Sequence, residues 1–286
     1  MNIETKTIEP LNRPDFFRHG QVPHQGTTHQ RSGDKRKMRF LSGLVVSTAL
    51  SCLVSGPALA QGNNGKEPNV IPIDITKMFI EYNATDLDVG VQVFLDGGSY
   101  KHLKGFKPDG RKFLDITGTN SLAKQGLTET FFESSEPSLA EVPLDVFLAR
   151  FPQGEYEFEG VGIDGVPLEG EVMLTHTIPA GPFLISPAEG DVVDPNNLVI
   201  MWEPVTETFD GSTDIEIIGY QVIATTLDPG RVAGKRGFNV EVPADVTSLT
   251  VSREYLDPDT EYEWEVLAIE AGGNQTLSSS TFTTAP

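Results

Sequence analysis

Two short runs, Glu155-Tyr156-Glu157-Phe158-Glu159 and Glu261-Tyr262-Glu263-Trp264-Glu265, alternate carboxylates with large rings without a break. In extended backbone successive side chains point to opposite faces, so each run sorts its acids to one side and its aromatics to the other. A helix would spread the same residues around its circumference. Each run is therefore predicted to be a strand with one face in water and one in a core, its row of acids discouraging edge-to-edge pairing. Glycoside hydrolysis needs two acids facing each other across the scissile bond, and acids lined along one strand do not offer that.

From about residue 180 the same logic repeats at short intervals. Residues 198–202, 218–222, 238–242, 249–251, 261–268 and 277–283 read as strands separated by turn residues, with Ile218, Tyr220 and Val222 expected on one face. Trp202 followed by Pro204, the Gly219-Tyr220 pair and the run Leu256-Asp257-Pro258-Asp259-Thr260-Glu261-Tyr262 together resemble a fibronectin type III domain, over residues 180–286. The resemblance implies an immunoglobulin-like β-sandwich and a tyrosine corner. In that corner Tyr262 packs its ring in the core and ties its hydroxyl to upstream backbone. Binding or spacing is implied, not catalysis. The Arg-Gly-Asp tripeptide that some members present to receptors does not occur in this chain.

The first half is also expected to be β-rich. Residues 78–82, 90–95, 99–106, 112–116 and 129–132 read as strands, with a turn at Pro108-Asp109-Gly110. Ser138 is placed to cap a short helix over 139–151, where Leu144, Phe147, Leu148 and Phe151 recur at helical steps. A closing hairpin, 155–163 and 169–176, turns at Asp164-Gly165. Phe94-Leu95-Asp96-Gly97 and Phe131-Phe132-Glu133-Ser134 resemble exported bacterial modules of unassigned activity, a likeness that transfers no site residues. The expected fold is mainly β: two tandem β-sandwich-like domains, the first with one short helix. A split α+β fold is the alternative for the first half.

Ahead of both lies an export signal. Lys35-Arg36-Lys37-Met38-Arg39 is a basic cluster, residues 40–54 carry no charge, and Ala58-Leu59-Ala60 supplies small residues for a signal peptidase. A membrane span needs about 20 predominantly apolar residues, more than this core offers. Ala49-Leu50-Ser51-Cys52 is a rival reading as a lipid-attachment site. The expected organisation is a polar, disordered extension over 1–37, a signal peptide over 38–60, a β-rich domain over 61–178 and a sandwich over 179–286. Met38 is an alternative start.

The chain has 21 Lys+Arg against 41 Asp+Glu, and the first 60 residues hold 8 of the bases and 4 of the acids. The remainder is thus strongly acidic, which disfavours nucleic acid and anionic lipid as partners. Its one cysteine leaves with the signal, which suits an oxidising compartment, periplasmic or extracellular.

Chemistry is sparse. The loop Asn83-Ala84-Thr85-Asp86-Leu87-Asp88-Val89-Gly90 is the candidate metal site: Asn83, Asp86 and Asp88 offer the oxygens a calcium ion wants, though the EF-hand register fails. Its alternative is a connecting loop whose Asx side chains satisfy local backbone. Gly160-Val161-Gly162-Ile163-Asp164-Gly165 matches a dinucleotide-binding pattern, but a strand rather than a helix follows it, so it reads as a hairpin turn. Only His102 and His176 follow the signal, which is too few for a three-histidine zinc site. Asn83-Ala84-Thr85 and Asn274-Gln275-Thr276 have the form of glycosylation acceptors. No catalytic residue and no cofactor other than calcium is indicated. The leading expectation is an exported, non-enzymatic binding or spacer protein whose partner is a protein or a glycan. One alternative is a carbohydrate-binding accessory protein using Tyr82, Phe94, Tyr100 or Phe106 as stacking platforms; the other is a small secreted hydrolase with its site in residues 71–177.

Overall fold

The computed structural model describes residues 70–227 and 237–286; the signal, Met38 and Cys52 lie outside them. The first half contributes β1 (Ile71–Pro72), β2 (Ile75–Asn83), β3 (Asp88–Phe106), β4 (Lys112–Thr117), α1 (Ser121–Gln125), β5 (Leu127–Glu133), α2 (Leu144–Arg150), β6 (Gly154–Gly162) and β7 (Pro167–Leu174). The second contributes β8 (Leu184–Ser186), β9 (Asp191–Val193), β10 (Val199–Trp202), β11 (Ile217–Thr226), β12 (Gly237–Pro243), β13 (Ser248–Thr250), a single 3-10 turn (Arg253–Tyr255), β14 (Glu261–Glu270) and β15 (Gln275–Thr284). The molecule is mainly β, as the alternating runs required.

The first core is built by period two. Met78, Ile80 and Tyr82 of β2 and Val89, Val91, Val93 and Leu95 of β3 bury one sheet face, joined by Tyr156 and Phe158 of β6 and Phe147 of α2. The acids Glu155, Glu157 and Glu159 face water. Residues 90–95 and 99–106, expected as separate strands, form one 19-residue strand, β3. Its register slips between Asp96 and Tyr100, so its first part pairs with β2 and β5 and its last part with β4 and β6. Gly97 sits at that slip, where a Cβ would come within 3.3 Å of the Asp74 nitrogen and the Ile73 Cα. The helix expected over 139–151 is cut to Leu144–Arg150. Pro143 disfavours helical backbone at Val142, so Ser138 begins a separate turn whose carbonyl accepts from the amides of Glu141 and Val142.

The second core holds Ile200, Trp202, Tyr220, Val222, Leu256, Tyr262, Trp264, Val266 and Phe282, between the three-stranded sheet β13-β10-β8 and the strands β11 and β14. The Tyr262 ring stacks on Phe282 at 5.2 Å, and its hydroxyl accepts the Asp257 amide at 2.7 Å, which is the tyrosine corner. Trp202 meets Tyr220 edge to face at 5.4 Å. Ile218 departs from expectation: it is exposed, and Ile217 packs on the core instead. A bulge between Ile217 and Gly219 absorbs one residue and resets the alternation there.

One feature joins the halves. The larger sheet runs β1-β7-β6-β3-β2-β15-β14-β11-β12, so it passes from the first core to the second through a parallel pairing of β2 with β15.

Candidate functional site

The β2–β3 connection carries the residues read as a calcium loop. Asn83 closes β2 and Asp88 opens β3, paired across the hairpin. The Asn83 side-chain oxygen accepts the amides of Thr85 at 2.9 Å and Asp86 at 3.0 Å, and its nitrogen donates to the Asp86 carboxylate at 3.0 Å. Leu87 takes a positive φ of 57° and donates its amide to the Asn83 carbonyl at 2.9 Å. The side chain of Asn83 therefore shapes the turn. Asp86 is exposed and Asp88 is buried beside the sheet.

Next to this turn lies the seam, and Asn274 is its fastening. Placed in the β14–β15 turn and fully buried, Asn274 accepts the Ile80 amide at 2.8 Å on its side-chain oxygen. Its nitrogen donates to the Thr175 hydroxyl at 2.8 Å and to the carbonyls of Thr175 at 3.2 Å and Thr177 at 3.1 Å. Glu270 holds the turn in shape by accepting the amides of Gly272 and Asn274. Thr276 donates to the Pro179 carbonyl at 2.7 Å, and Thr85 accepts the Ser279 amide at 2.8 Å. Both tripeptides of glycosylation form thus have buried, hydrogen-bonded asparagines, Asn83 and Asn274, which the folded chain does not present to a transferase.

On the sheet face turned away from the first core, three carboxylates converge. Glu81 of β2, Glu133 at the end of β5 and Glu136 just beyond it each bring an oxygen to within 4.8 Å of the others. Strand register explains the convergence: Glu81 pairs with Gly90, and Gln92, two residues on, pairs with Glu133. Gly90 leaves room for Glu136, since a Cβ there would stand 2.7 Å from the Glu136 Cγ. Gln92 is fully buried and donates to Glu133 at 3.3 Å. Gln275 of β15 donates to Glu81 across the seam. Burial pushes the Glu81 carboxyl up to about 7, opposed by the hydrogen bond from Gln275 and reinforced by the charges of Glu133 and Glu265. Sequence reasoning missed this group, because its members are far apart along the chain and only their pairing unites them.

The other candidates resolve simply. Gly160–Gly162 end β6 and the β6–β7 hairpin turn follows them, with Gly165 at φ 87° and the Asp164 carboxylate accepting the Val166 amide at 3.0 Å. Tyr82 and Tyr100 are buried, so neither is a stacking platform; Phe94 and Phe106 are half-buried. His102 pairs with Asp115 at 2.9 Å on the sheet surface, and His176 bonds the Phe151 carbonyl at 2.8 Å. Among the described residues no helix is long and apolar enough to cross a membrane.

The family comparison agrees with the tyrosine corner: residues 187–284 match the model of the fibronectin type III domain. Among solved structures, the chain is similar to the crystal structure of chicken CNTN1 FN1-FN3 domains at 15% identity, covering 77% of this chain and 69% of that one with a TM-score of 0.31. No curated protein matches.

Proposed function

We propose that this chain, whose C-terminal half carries a fibronectin type III domain, is an exported, non-enzymatic protein that binds a partner or holds other parts at a fixed spacing. Fibronectin type III domains typically stand in extracellular or exported proteins, where they serve as binding or spacing modules. The observation that carries the reading is the seam. β15 of that domain is also the parallel neighbour of β2, and Asn274 is buried between the halves with hydrogen bonds to the first. A joint made of backbone ladder and buried amides keeps two units in register, which suits a spacer. The export motif ahead of residue 61 supports the location, and the acidic surplus disfavours nucleic acid and anionic lipid as partners.

The test is N-terminal sequencing of the chain recovered from its own cells, with cross-linking in the same cells. The expected product begins at Gln61, lies outside the cytoplasm and captures a protein or glycan of the envelope or surroundings. An unprocessed chain retained inside the cell overturns the reading.

A further inference from the structure

We propose that Glu81, Glu133 and Glu136, together with the side-chain oxygen of Gln92, bind a divalent cation of the calcium class on the sheet face turned away from the first core. This stands independently of whether the chain is exported or acts as a spacer.

Two observations point to an ion. The first is span. The three carboxylate oxygens lie within 4.8 Å of one another. Oxygens bound to one calcium at about 2.4 Å stand no more than about 4.8 Å apart, so the group is already gathered to the span of a single ion. The second is an orphaned acceptor. Gln92 is fully buried, and its amide end lies among the acids, bonded to both Glu133 and Glu81. Its nitrogen is thereby engaged, while its oxygen is buried with no hydrogen-bond partner. None of the neighbouring acids gives that oxygen a hydrogen bond. A cation satisfies both demands at once: it accepts the amide oxygen as a ligand and neutralises the like charges beside it.

The donor set selects the metal class. Every ligand atom is oxygen, with neither imidazole nor thiolate in the group, which suits a hard cation over zinc or copper. Surrounding residues serve the geometry. Gly90 lets Glu136 lie over the strand, and Gln275 orients Glu81 from the other side of the seam. An ion held here would therefore also brace the joint between the halves.

The experiment is calorimetric titration of the full chain with calcium chloride after chelation, paired with thermal melts. The expected result is one ion per chain, with a dissociation constant of about 10⁻⁴–10⁻³ M and a raised melting temperature. Glu133→Gln and Glu136→Gln each weaken binding at least about tenfold. Glu133 is exposed and Glu136 only partly buried, so melts in chelator should match the parent and report folding separately. Gly90→Ala removes no carboxylate yet displaces Glu136, and it should weaken binding as Glu136→Gln does. Asp86→Asn, in the neighbouring turn, should leave the affinity unchanged. The proposal is overturned by the absence of heat and melting shift at millimolar calcium, or by binding that survives Glu133→Gln and Glu136→Gln but is lost in Asp86→Asn.

Discussion

Asn274→Ala is the sharpest probe of the seam. The substitution removes a fully buried amide and with it four hydrogen bonds: one from the Ile80 amide and three to Thr175 and Thr177. The Ile80 amide is left buried without that acceptor, and the half-buried threonine carbonyls lose a donor. A buried polar group deprived of its partner costs about 1–3 kcal/mol. Ile80 belongs at the upper end of that range and the threonines at the lower, which makes the expected loss about 3 kcal/mol. Ordinary domains have only about 5–15 kcal/mol in all. Urea denaturation of the full chain reads the loss, and hydrogen exchange locates it in the Ile80 amide and residues 175–178. Thr175→Val removes one of the four bonds and should cost about 1 kcal/mol. The two substitutions share a bond, so their effects should fall short of adding. Additive losses, or a loss from Asn274→Ala below about 1 kcal/mol with Ile80 exchange unchanged, would refute the idea that this amide fastens the halves.

Other expectations are more local. Tyr262→Phe keeps the ring on Phe282 but strips the acceptor from the Asp257 amide, so stability should fall by about 1–2 kcal/mol with little change in near-UV dichroism. Hydrogen bonds from Lys112 and then His102 hold the Asp115 carboxyl down to about 2. A depressed carboxylate favours the folded state above the ordinary pKa of about 4 and loses that contribution as pH falls through about 2. Carboxyl NMR should therefore show Asp115 titrating well below the exposed acids, and Lys112→Gln should move its midpoint upward; an unmoved midpoint would show that the Lys112 contact is not made in solution.

The parts of this fold that were legible are those whose causes lie close together along the chain. Glu155–Glu159 reads as a strand because alternation is written into five adjacent residues, and the tyrosine corner reads because Asp257 and Tyr262 are close in sequence. The errors were local too, and each has a physical cause. Ile218 escaped the expected face through a one-residue bulge that leaves no mark on composition. The helix lost its first turn to the constraint that Pro143 places on Val142. What stayed illegible is the seam and the carboxylate group beside it. Ile80 and Asn274 are 194 residues apart, and the strands they fasten run parallel, so no tight turn announces the pairing. The same blindness explains the two tripeptides of glycosylation form. An asparagine followed two places later by threonine is spelled identically whether its amide faces water or closes a joint; register decides, by setting Asn274 against Ile80 and folding Asn83 back on its own turn. Gln92 follows the same rule. In sequence it is one polar residue between two valines, and only its pairing with Glu133 beside the Glu81–Gly90 pair turns it into an acceptor surrounded by acids.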